Sequence, residues 1–250
     1  MRNQMAAVTG ASRLGPSLGG DSVQIRDALA DSEVFGALAD DELDGLINRG
    51  RTATYSRGAV VFRKGDPGED LMIVLDGRVK LSSTSVSGNE VIFDFIGAGR
   101  CFGEGALLGA KTRRHEAIAV KVSAVFALQQ RDVLACLEQH PEVAVRTIRV
   151  LCERLSRAME MFEDRTQHDL SSRTARALLR LASEYGSREG DVLRIGLKIS
   201  QSEIAALVGA TREKVNRQLC AWCRSGILAL DEGHWTIRSA AALHSVVEEH

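Results

Sequence analysis

Hydrophobic residues change their spacing along the chain, and the changes predict its regular elements. Between residues 22 and 48 apolar residues recur at helical intervals, and Ala39 followed by three acidic residues predicts a helix start. From about residue 51 to 130, short runs of Val, Ile and Phe alternate with glycine-containing turns, which is typical of an antiparallel barrel or sandwich. From Arg131 the spacing is helical again. The predicted strands are residues 59–62, 71–75, 79–83, 91–95 and 117–120.

A long amphipathic helix is predicted next, beginning at Pro141 and running to about Asp164. Its apolar residues step alternately by three and four, which is the spacing of a coiled-coil seam. The seam packs either against a second copy of the chain or against the chain's own barrel. Charged residues on the opposite faces, among them Arg149, Glu153, Arg154, Arg157 and Glu160, favour a second copy. The stepping residues are Ile148, Leu151, Leu155, Ala158 and Phe162.

Residues 198–226 carry the most specific pattern in the chain. Ser200 and Glu203 stand three residues apart, as the two halves of a capping box do, and each satisfies a free backbone N–H group of the other. Ile199 and Ile204 occupy the positions of a hydrophobic staple. The sequence therefore predicts a helix that begins at this box.

A second helix is predicted directly after the first. The first helix runs to about Val208, Gly209 ends it in the left-handed conformation, and Thr211 caps the second helix. Two helices joined by a short glycine turn form a helix-turn-helix. The buried stripe of the second helix is predicted to be Val215, Leu219 and Trp222.

The first turns of that second helix carry the residue types that read DNA bases. Arginine binds guanine O6 and N7 with two hydrogen bonds, and glutamate accepts one from cytosine N4. The candidate base readers are Arg212, Glu213 and Arg217. An amphipathic helical hairpin with a solvated charged face is the alternative interpretation. Other residues are candidates for contacts with DNA phosphates, which position the protein on the duplex without reading its base sequence. They are Gln201, Ser202, Thr211 and Lys214.

A β-hairpin is predicted after the two helices, with strands at residues 227–230 and 235–237 around a turn at 231–234. Such a hairpin is the wing of a winged helix. From Lys198 to Arg224 five residues are basic and two are acidic, so this segment carries a local charge of +3. The whole chain, with 32 basic and 33 acidic residues, has a net charge of −1 and hides this basic segment.

Composition narrows the class of protein further. The 250 residues are 44% hydrophobic and 26% charged, which fits one or two globular domains. No apolar run approaches the ~20 residues of a membrane span, and residues 1–20 lack the apolar core of a secretory signal. Five cysteines, an odd number without a disulfide framework, suggest a reducing cytoplasm. Residues 1–21 are expected to form a flexible arm.

The combination resembles the Crp/Fnr family of bacterial transcription regulators, over about residues 30–238. In the barrel the resemblance lies in Gly65-Asp66, in Asp76-Gly77-Arg78-Val79-Lys80-Leu81, and in Phe102-Gly103-Glu104 followed by Ala106-Leu107-Leu108. In the second helix it lies in Arg212-Glu213-x-x-x-Arg217. The resemblance implies an α+β chain with a double-stranded, jelly-roll-like β-roll, a long dimerisation helix and a C-terminal winged helix-turn-helix. It also implies a homodimer on a palindrome with half-sites like TGTGA.

Four regions follow from this interpretation. They are an arm (1–21), a cyclic-nucleotide-binding-like effector domain (22–140), a dimerisation helix and hinge (141–168), and a winged helix-turn-helix domain (169–250). The predicted partners are double-stranded DNA and, for an activator, RNA polymerase, with no membrane. A ligand-binding or protein-interaction module is the alternative function, and no catalytic arrangement supports an enzyme.

The resemblance also implies an effector pocket. Relatives hold a cyclic phosphate with an Arg-Ser/Thr-Ala sequence, and here Gly103 and Glu104 are present while Arg113 or Arg114 supplies the guanidinium. The hydroxyl residues of the phosphate cassette and of the long helix are missing, because Ala158 and Met159 stand at the helix positions. His115 is expected to be a polar strand residue. The identity of the effector stays open: it is a cyclic nucleotide such as cyclic AMP, another small ligand, or no ligand at all.

The cysteines are expected to be structural. No cysteine precedes Cys101, so an iron–sulfur cluster cannot be assembled as in some relatives, and none is expected. Cys220 and Cys223 are spaced like a metal or redox pair, but on a helix they share one face and no second pair exists. No metal site is predicted.

Overall fold

The structure is described for most of the chain, and the described residues fall into two units. The computed structural model describes residues 11–12, 20–107, 109, 111–190 and 192–248. These residues divide into two units, one of residues up to 83 with 93–154 and one of 84–92 with residues from 155 onward.

In the described part of the chain, the first unit begins with a two-residue strand and two helices, after which come further strands and then two further helices. The elements are β1 (Ala11–Ser12), α1 (Gly20–Ala30), α2 (Asp40–Ile47), β2 (Arg51–Tyr55), β3 (Val60–Phe62), β4 (Asp70–Asp76), β5 (Val79–Thr84), β6 (Glu90–Ile96), β7 (Cys101–Phe102), a single 3₁₀ turn (Glu104–Ala106), β8 (Glu116–Ala119), β9 (Ser123–Gln129), α3 (Gln130–Gln139) and α4 (Pro141–Gln167). The five predicted strands correspond to β3, β4, β5, β6 and β8. The strands β1, β2, β7 and β9 were not predicted.

The strands form a roll of two sheets. One sheet has the order β1-β2-β9-β4-β7 and the other β3-β8-β5-β6, and the strand pairs described in register are antiparallel. In β4, Leu71, Ile73 and Leu75 pack with the helices, whereas Met72 and Val74 pack between the sheets. Because both faces of this strand are covered, its apolar run is continuous rather than alternating.

The helical stretch predicted at 22–48 consists of two helices, α1 and α2. The Ser32 hydroxyl donates to the Leu29 carbonyl and accepts from the Phe35 backbone N–H. It thereby satisfies two backbone groups just after the end of α1. The helix start at Ala39 is confirmed, since Glu42 accepts from the Ala39 backbone N–H at 2.7 Å. Most of the predicted flexible arm, residues 1–10 and 13–19, lies outside the described residues, while residues 11–12 pair with β2 and residues 20–21 belong to α1.

The second unit is a helical domain with a small sheet. Its further elements are α5 (Leu170–Tyr185), β10 (Gly186–Glu189), β11 (Val192–Lys198), α6 (Gln201–Val208), α7 (Arg212–Arg224), β12 (Leu228–Asp231), β13 (His234–Ile237) and α8 (Ala240–Glu248). The sheet order is β10-β11-β13-β12, so the predicted wing hairpin is present and gains two strands that were not predicted. Its turn places Glu232 and Gly233 at φ +48° and +84°, as a two-residue hairpin turn requires.

Helices α5 to α8 and three of the four strands of the small sheet contribute buried side chains. Trp235 of β13 is buried and its indole N–H donates to the Ile199 carbonyl at 3.0 Å, just before α6 begins. This hydrogen bond joins the wing to the helix pair. The fully buried residues of this unit include Leu178, Ile195, Ile204, Val215, Leu219, Ile237 and Leu243.

Candidate nucleic-acid interface and roll interior

The helix-turn-helix is built by the caps that the sequence predicts. The Ser200 hydroxyl accepts from the Glu203 backbone N–H at 3.2 Å, and Glu203 accepts from the Ser200 N–H at 2.8 Å, which completes the capping box. Gly209 ends α6 at φ +67° and ψ +44°, in the left-handed region. Thr211 caps α7 by accepting from the Lys214 N–H at 3.5 Å. These predictions are confirmed.

One face of α7 is buried and its N-terminal turns are open to solvent. Val215 and Leu219 are fully buried and Trp222 is 5% exposed, as predicted. The candidate base readers Arg212, Glu213 and Arg217 are all exposed. The side chains that could read bases therefore project from a helix whose other face is fixed in the core.

The candidate phosphate contacts differ in their surroundings. Ser202, Thr211 and Lys214 are exposed, whereas Gln201 is half-buried. The Thr211 hydroxyl already serves as the cap of α7, so it contacts a phosphate only as a donor. The assignment of these four residues to phosphates stays a prediction.

Helix α4 carries an exposed apolar stripe in the isolated chain. Ile148, Leu155, Met159 and Phe162 are 59%, 63%, 64% and 71% exposed, and Cys152 is exposed between the first two. The steps from 148 to 162 are again four, three, four and three. The stripe shares Ile148, Leu155 and Phe162 with the predicted seam, but Cys152 and Met159 complete it, while Leu151 is half-buried.

Inside the roll, the Arg113 side chain is buried, and its guanidinium binds backbone carbonyls of the same chain. Its guanidinium donates to the Gly103 and Asp70 carbonyls, each at 3.0 Å, and lies 4.4 Å from the centre of the Phe62 ring. Burial lowers the pKa of Arg113, and nearby carboxylates, Asp70 first, oppose this shift. Arg114 is exposed. Of the two arginines that could have supplied the guanidinium, only Arg113 faces the interior.

Glu104 belongs to a charged network that includes α4. Its carboxylate pairs with the Arg154 guanidinium, which also donates to the Cys101 carbonyl and lies 3.6 Å from Glu33. Burial alone would raise the pKa of Glu104, but the charge and hydrogen bond of Arg154 lower it below the ordinary value. The Glu33 carboxylate accepts from the Cys101 backbone N–H at 3.1 Å.

His115 is half-buried beside two aromatic rings rather than part of a polar strand surface. It precedes β8, and its ring centre is 5.8 Å from that of Phe62 and 6.2 Å from that of Phe93. Burial lowers the pKa of His115, and the charge of Glu104 opposes the shift. Within the part of the chain that the structure describes, its Nε2 atom is buried without a hydrogen-bond partner. The imidazole is therefore held neutral near pH 7.

The predicted effector residues are only partly brought together. Gly103, at φ +83°, begins the 3₁₀ turn that carries Glu104, and Arg113 donates to the Gly103 carbonyl. Ala158 and Met159 are exposed on α4, and their place in a pocket stays a prediction. Sequence reasoning missed Arg154, which it assigned to a charged face, and the rings of Phe62 and Phe93, which lie beside His115. No local signal marks Arg154, because its partners are remote in sequence.

The cysteines are free thiols. Cys101 is buried, and burial raises the pKa of its thiol far above the ordinary range. Burial likewise raises the pKa of Cys136 to about 11 and that of Cys223 above its ordinary value. The Cys220 thiol donates to the Asn216 side-chain oxygen at 3.3 Å. Among the described residues, no helix is long and apolar enough to cross a membrane.

Two family models match the chain in its two units. Residues 52–140 match the cyclic nucleotide-binding domain, and residues 172–246 match the Crp-like helix-turn-helix domain. The fold and the exposed helix α7 thus define a DNA-binding regulator of transcription.

Named relatives identify the family. The chain is 33% identical over 219 residues to the cyclic AMP receptor protein of Thermus thermophilus, covering 86% of this chain and 96% of the relative. It is 29% identical over 205 residues to the CRP-like cAMP-activated global transcriptional regulator of Mycobacterium tuberculosis, covering 82% and 92%. The solved structure of TTHA1359, a Crp/Fnr regulator of Thermus thermophilus, superimposes with a TM-score of 0.63 at 27% identity, covering 79% and 98%. The chain belongs to the Crp/Fnr family of transcription regulators.

Proposed function

We propose that this chain acts as a homodimer that binds a palindromic DNA operator through α7, with Arg212, Glu213 and Arg217 reading bases. The observation that carries the proposal is the exposure of these three side chains at the start of a helix whose opposite face is buried. A helix presented in this way fits the major groove with its N-terminal residues toward base edges. The Arg-Glu pair supplies both the guanine donor and the cytosine acceptor.

Contacts with DNA phosphates would fix the register of α7 on the duplex. Lys214 and Ser202 are exposed on neighbouring helices of the motif, Gln201 is the first residue of α6, and Thr211 is the N-cap of α7. Groups at helix N-termini suit phosphate oxygens, because the unpaired N–H groups and the helix dipole both favour negative charge there. These contacts contribute affinity that depends on salt but not on sequence.

Dimerisation would occur along α4. Four large apolar side chains and Cys152 lie exposed in a single row, and a row of this size on one chain is stabilised when a second copy covers it. A two-fold pair of α4 helices would present two α7 helices about one helical turn of DNA apart, which gives a palindromic site. Contact with RNA polymerase follows if the regulator is an activator.

An effector in the roll would have to compete with contacts that the chain makes to itself. Arg113 donates to two carbonyls and Glu104 pairs with Arg154, so the groups expected to hold a cyclic phosphate and a ribose are already partnered. A ligand that takes Glu104 would release Arg154 on α4 and shift the population of DNA-competent dimers. Calorimetric titration of the nucleotide-free protein with cyclic AMP and cyclic GMP tests whether either does so.

Selection of operator sequences from random duplexes tests the DNA proposal. The expected result is a palindrome with half-sites related to TGTGA whose centres are about 10 base pairs apart. Wild-type protein should select it, and Arg212→Ala and Arg217→Ala should not. Arg224→Ala is the matched control, since Arg224 is exposed at the far end of the same helix. Failure to select any sequence would favour the alternative, a protein-interaction module.

A further inference from the structure

A cavity of about 280 Å³ in the second unit is lined by far more positive than negative charge. It lies among one face of α4, one face of α5 and the last turn of α6. Five arginines line it, against two acidic residues, Glu160 and Asp164. The arginines are Arg157, Arg165, Arg173, Arg176 and Arg180.

The chain itself engages some of these arginines and leaves others available. Arg157 lies 3.4 Å from Glu184, and Arg173 donates to the Val208 carbonyl at 3.0 Å. Arg176 lies 3.7 Å from Asp164, and its Nε atom is buried without a hydrogen-bond partner among the described residues. Within the same described ranges, Arg180 makes no hydrogen bond or ion pair. The cavity thus holds guanidinium donors that an anion could satisfy.

The lining also includes an apolar part. Met161, Ala177, Leu207 and Val208 contribute to the wall. With Glu184 beside Arg157, a surplus of about two positive charges is left. This surplus suits a ligand with several negative charges, and the apolar wall suits an organic body attached to them. At about 280 Å³ the cavity lies near the lower end of small-molecule sites, so the ligand is small.

The cavity is close to the turn that sets the direction of α7. The Arg165 guanidinium approaches Gly209 so closely that a Cβ atom there would lie 2.8 Å from its Nε. Arg173 holds the carbonyl of Val208, the last residue of α6. A ligand that draws on Arg165 or Arg173 would therefore alter contacts at the turn between the two helices.

We propose that this arginine cavity binds a small organic diphosphate, of the nucleoside diphosphate class, and that occupancy changes the affinity for operator DNA. Arginine is suited to phosphate oxygens because its planar fork donates two parallel hydrogen bonds. None of the residues that line the site belongs to the roll. The predicted change in operator affinity rests on the proposed function, whereas the predicted binding of a diphosphate does not.

Isothermal titration of the full chain tests the binding, with ADP, pyrophosphate, inorganic phosphate and adenosine at fixed ionic strength. Saturable binding of ADP at one site per chain is expected, with pyrophosphate weaker, inorganic phosphate weaker still and adenosine without heat. Arg176→Gln with Arg180→Gln should weaken ADP about tenfold or more, since each removes charge-assisted hydrogen bonds. Arg194→Gln, at an exposed position of β11, is the matched control and should leave ADP binding unchanged.

Three results would overturn the proposal. They are no saturable heat from ADP or pyrophosphate, equal weakening by Arg194→Gln, and loss of ADP binding in Glu104→Gln but not in the double variant, which would place the ligand in the roll. Arg180→Gln alone serves if the double variant fails to fold. Operator affinity of the ligand-free protein is measured separately, so intact DNA binding without ADP binding refutes this inference and leaves the proposed function standing.

Discussion

Arg154 of α4 and Glu104 of the 3₁₀ turn after β7 form an ion pair inside the first unit. The two side chains are only 17% and 20% exposed. Glu33 and the Cys101 carbonyl add further partners for Arg154, so its charge is compensated despite burial. The long helix is thereby tied to the turn on which a Crp/Fnr effector residue is expected.

Breaking this pair from one side should be costly. Arg154→Met leaves the Glu104 and Glu33 carboxylates without their guanidinium, and we expect a loss of about 3 kcal/mol in the free energy of unfolding, measured in urea. The double variant Arg154→Met with Glu104→Gln should recover part of that loss. Arg149→Met, at an exposed position of α4, should change stability by less than about 0.5 kcal/mol. Equal effects at positions 149 and 154 would refute a structural role for the pair.

The roll should lose stability as the pH falls through the titration range of His115. Burial holds the pKa of His115 below its ordinary value, so the unfolded chain binds this proton more readily than the folded chain. The stabilisation is present above the unfolded pKa of about 6.5 and is lost as the pH decreases below it. Glu104, whose pKa is lowered, acts only at more acidic pH.

His115→Gln isolates this effect. Urea unfolding between pH 7.5 and 5.5 should show a smaller loss of stability in the variant than in the wild type. His140→Gln is the control, because His140 lies near Glu42 and Glu142 in another part of the unit. Identical pH dependence of the His115 variant and the wild type would show that the imidazole is not buried as described.

Cys152 gives a native reporter for the seam. In a parallel, in-register pair of α4 helices, the two Cys152 side chains would face each other at a core position of the seam. Mild copper-phenanthroline oxidation should therefore produce a covalent dimer on a non-reducing gel. Cys152→Ser should abolish that band, whereas Cys220→Ser, which removes an exposed thiol of α7, should keep it. A dimer in sedimentation that never cross-links through Cys152 would place the interface elsewhere.

The capping box should contribute measurably to the stability of the second unit. Ser200→Ala removes the acceptor for the Glu203 backbone N–H and should cost about 1 kcal/mol, seen as a lower Tm for this unit. Ser202→Ala, two residues later and exposed, should change Tm little. If both substitutions have the same effect, the cap does not stabilise α6 as its geometry indicates.

Local signals predicted the helix-turn-helix closely, because its caps, turn glycine and buried stripe all depend on neighbours within a few residues. Strand β11 carries a period-two pattern, with Ile195 and Leu197 buried and Arg194 and Lys198 exposed, that could have revealed it. Strand β2 has little such pattern, since Tyr55 is its only buried residue. Its position depends on pairing with β9, which local periodicity does not encode.

The roll interior could be predicted only in outline. Gly103 and Glu104 follow from the family resemblance, but the choice between Arg113 and Arg114 depends on which one turns inward. That choice is settled by two carbonyls and the Phe62 ring, which are distant in sequence. The role of Arg154 was beyond sequence reasoning for the same reason: a helical arginine beside acidic neighbours resembles a solvated charge.

The central claim is that α7 reads a base sequence, and the ratio of the dissociation constant for scrambled DNA to that for specific DNA tests it most directly. Fluorescence anisotropy should show a ratio for Arg217→Ala about tenfold or more below that of the wild type, because a lost bidentate contact is worth about 1–3 kcal/mol. Binding to scrambled DNA should change far less. An unchanged ratio in Arg217→Ala and Arg212→Ala, with folded protein, would contradict the account.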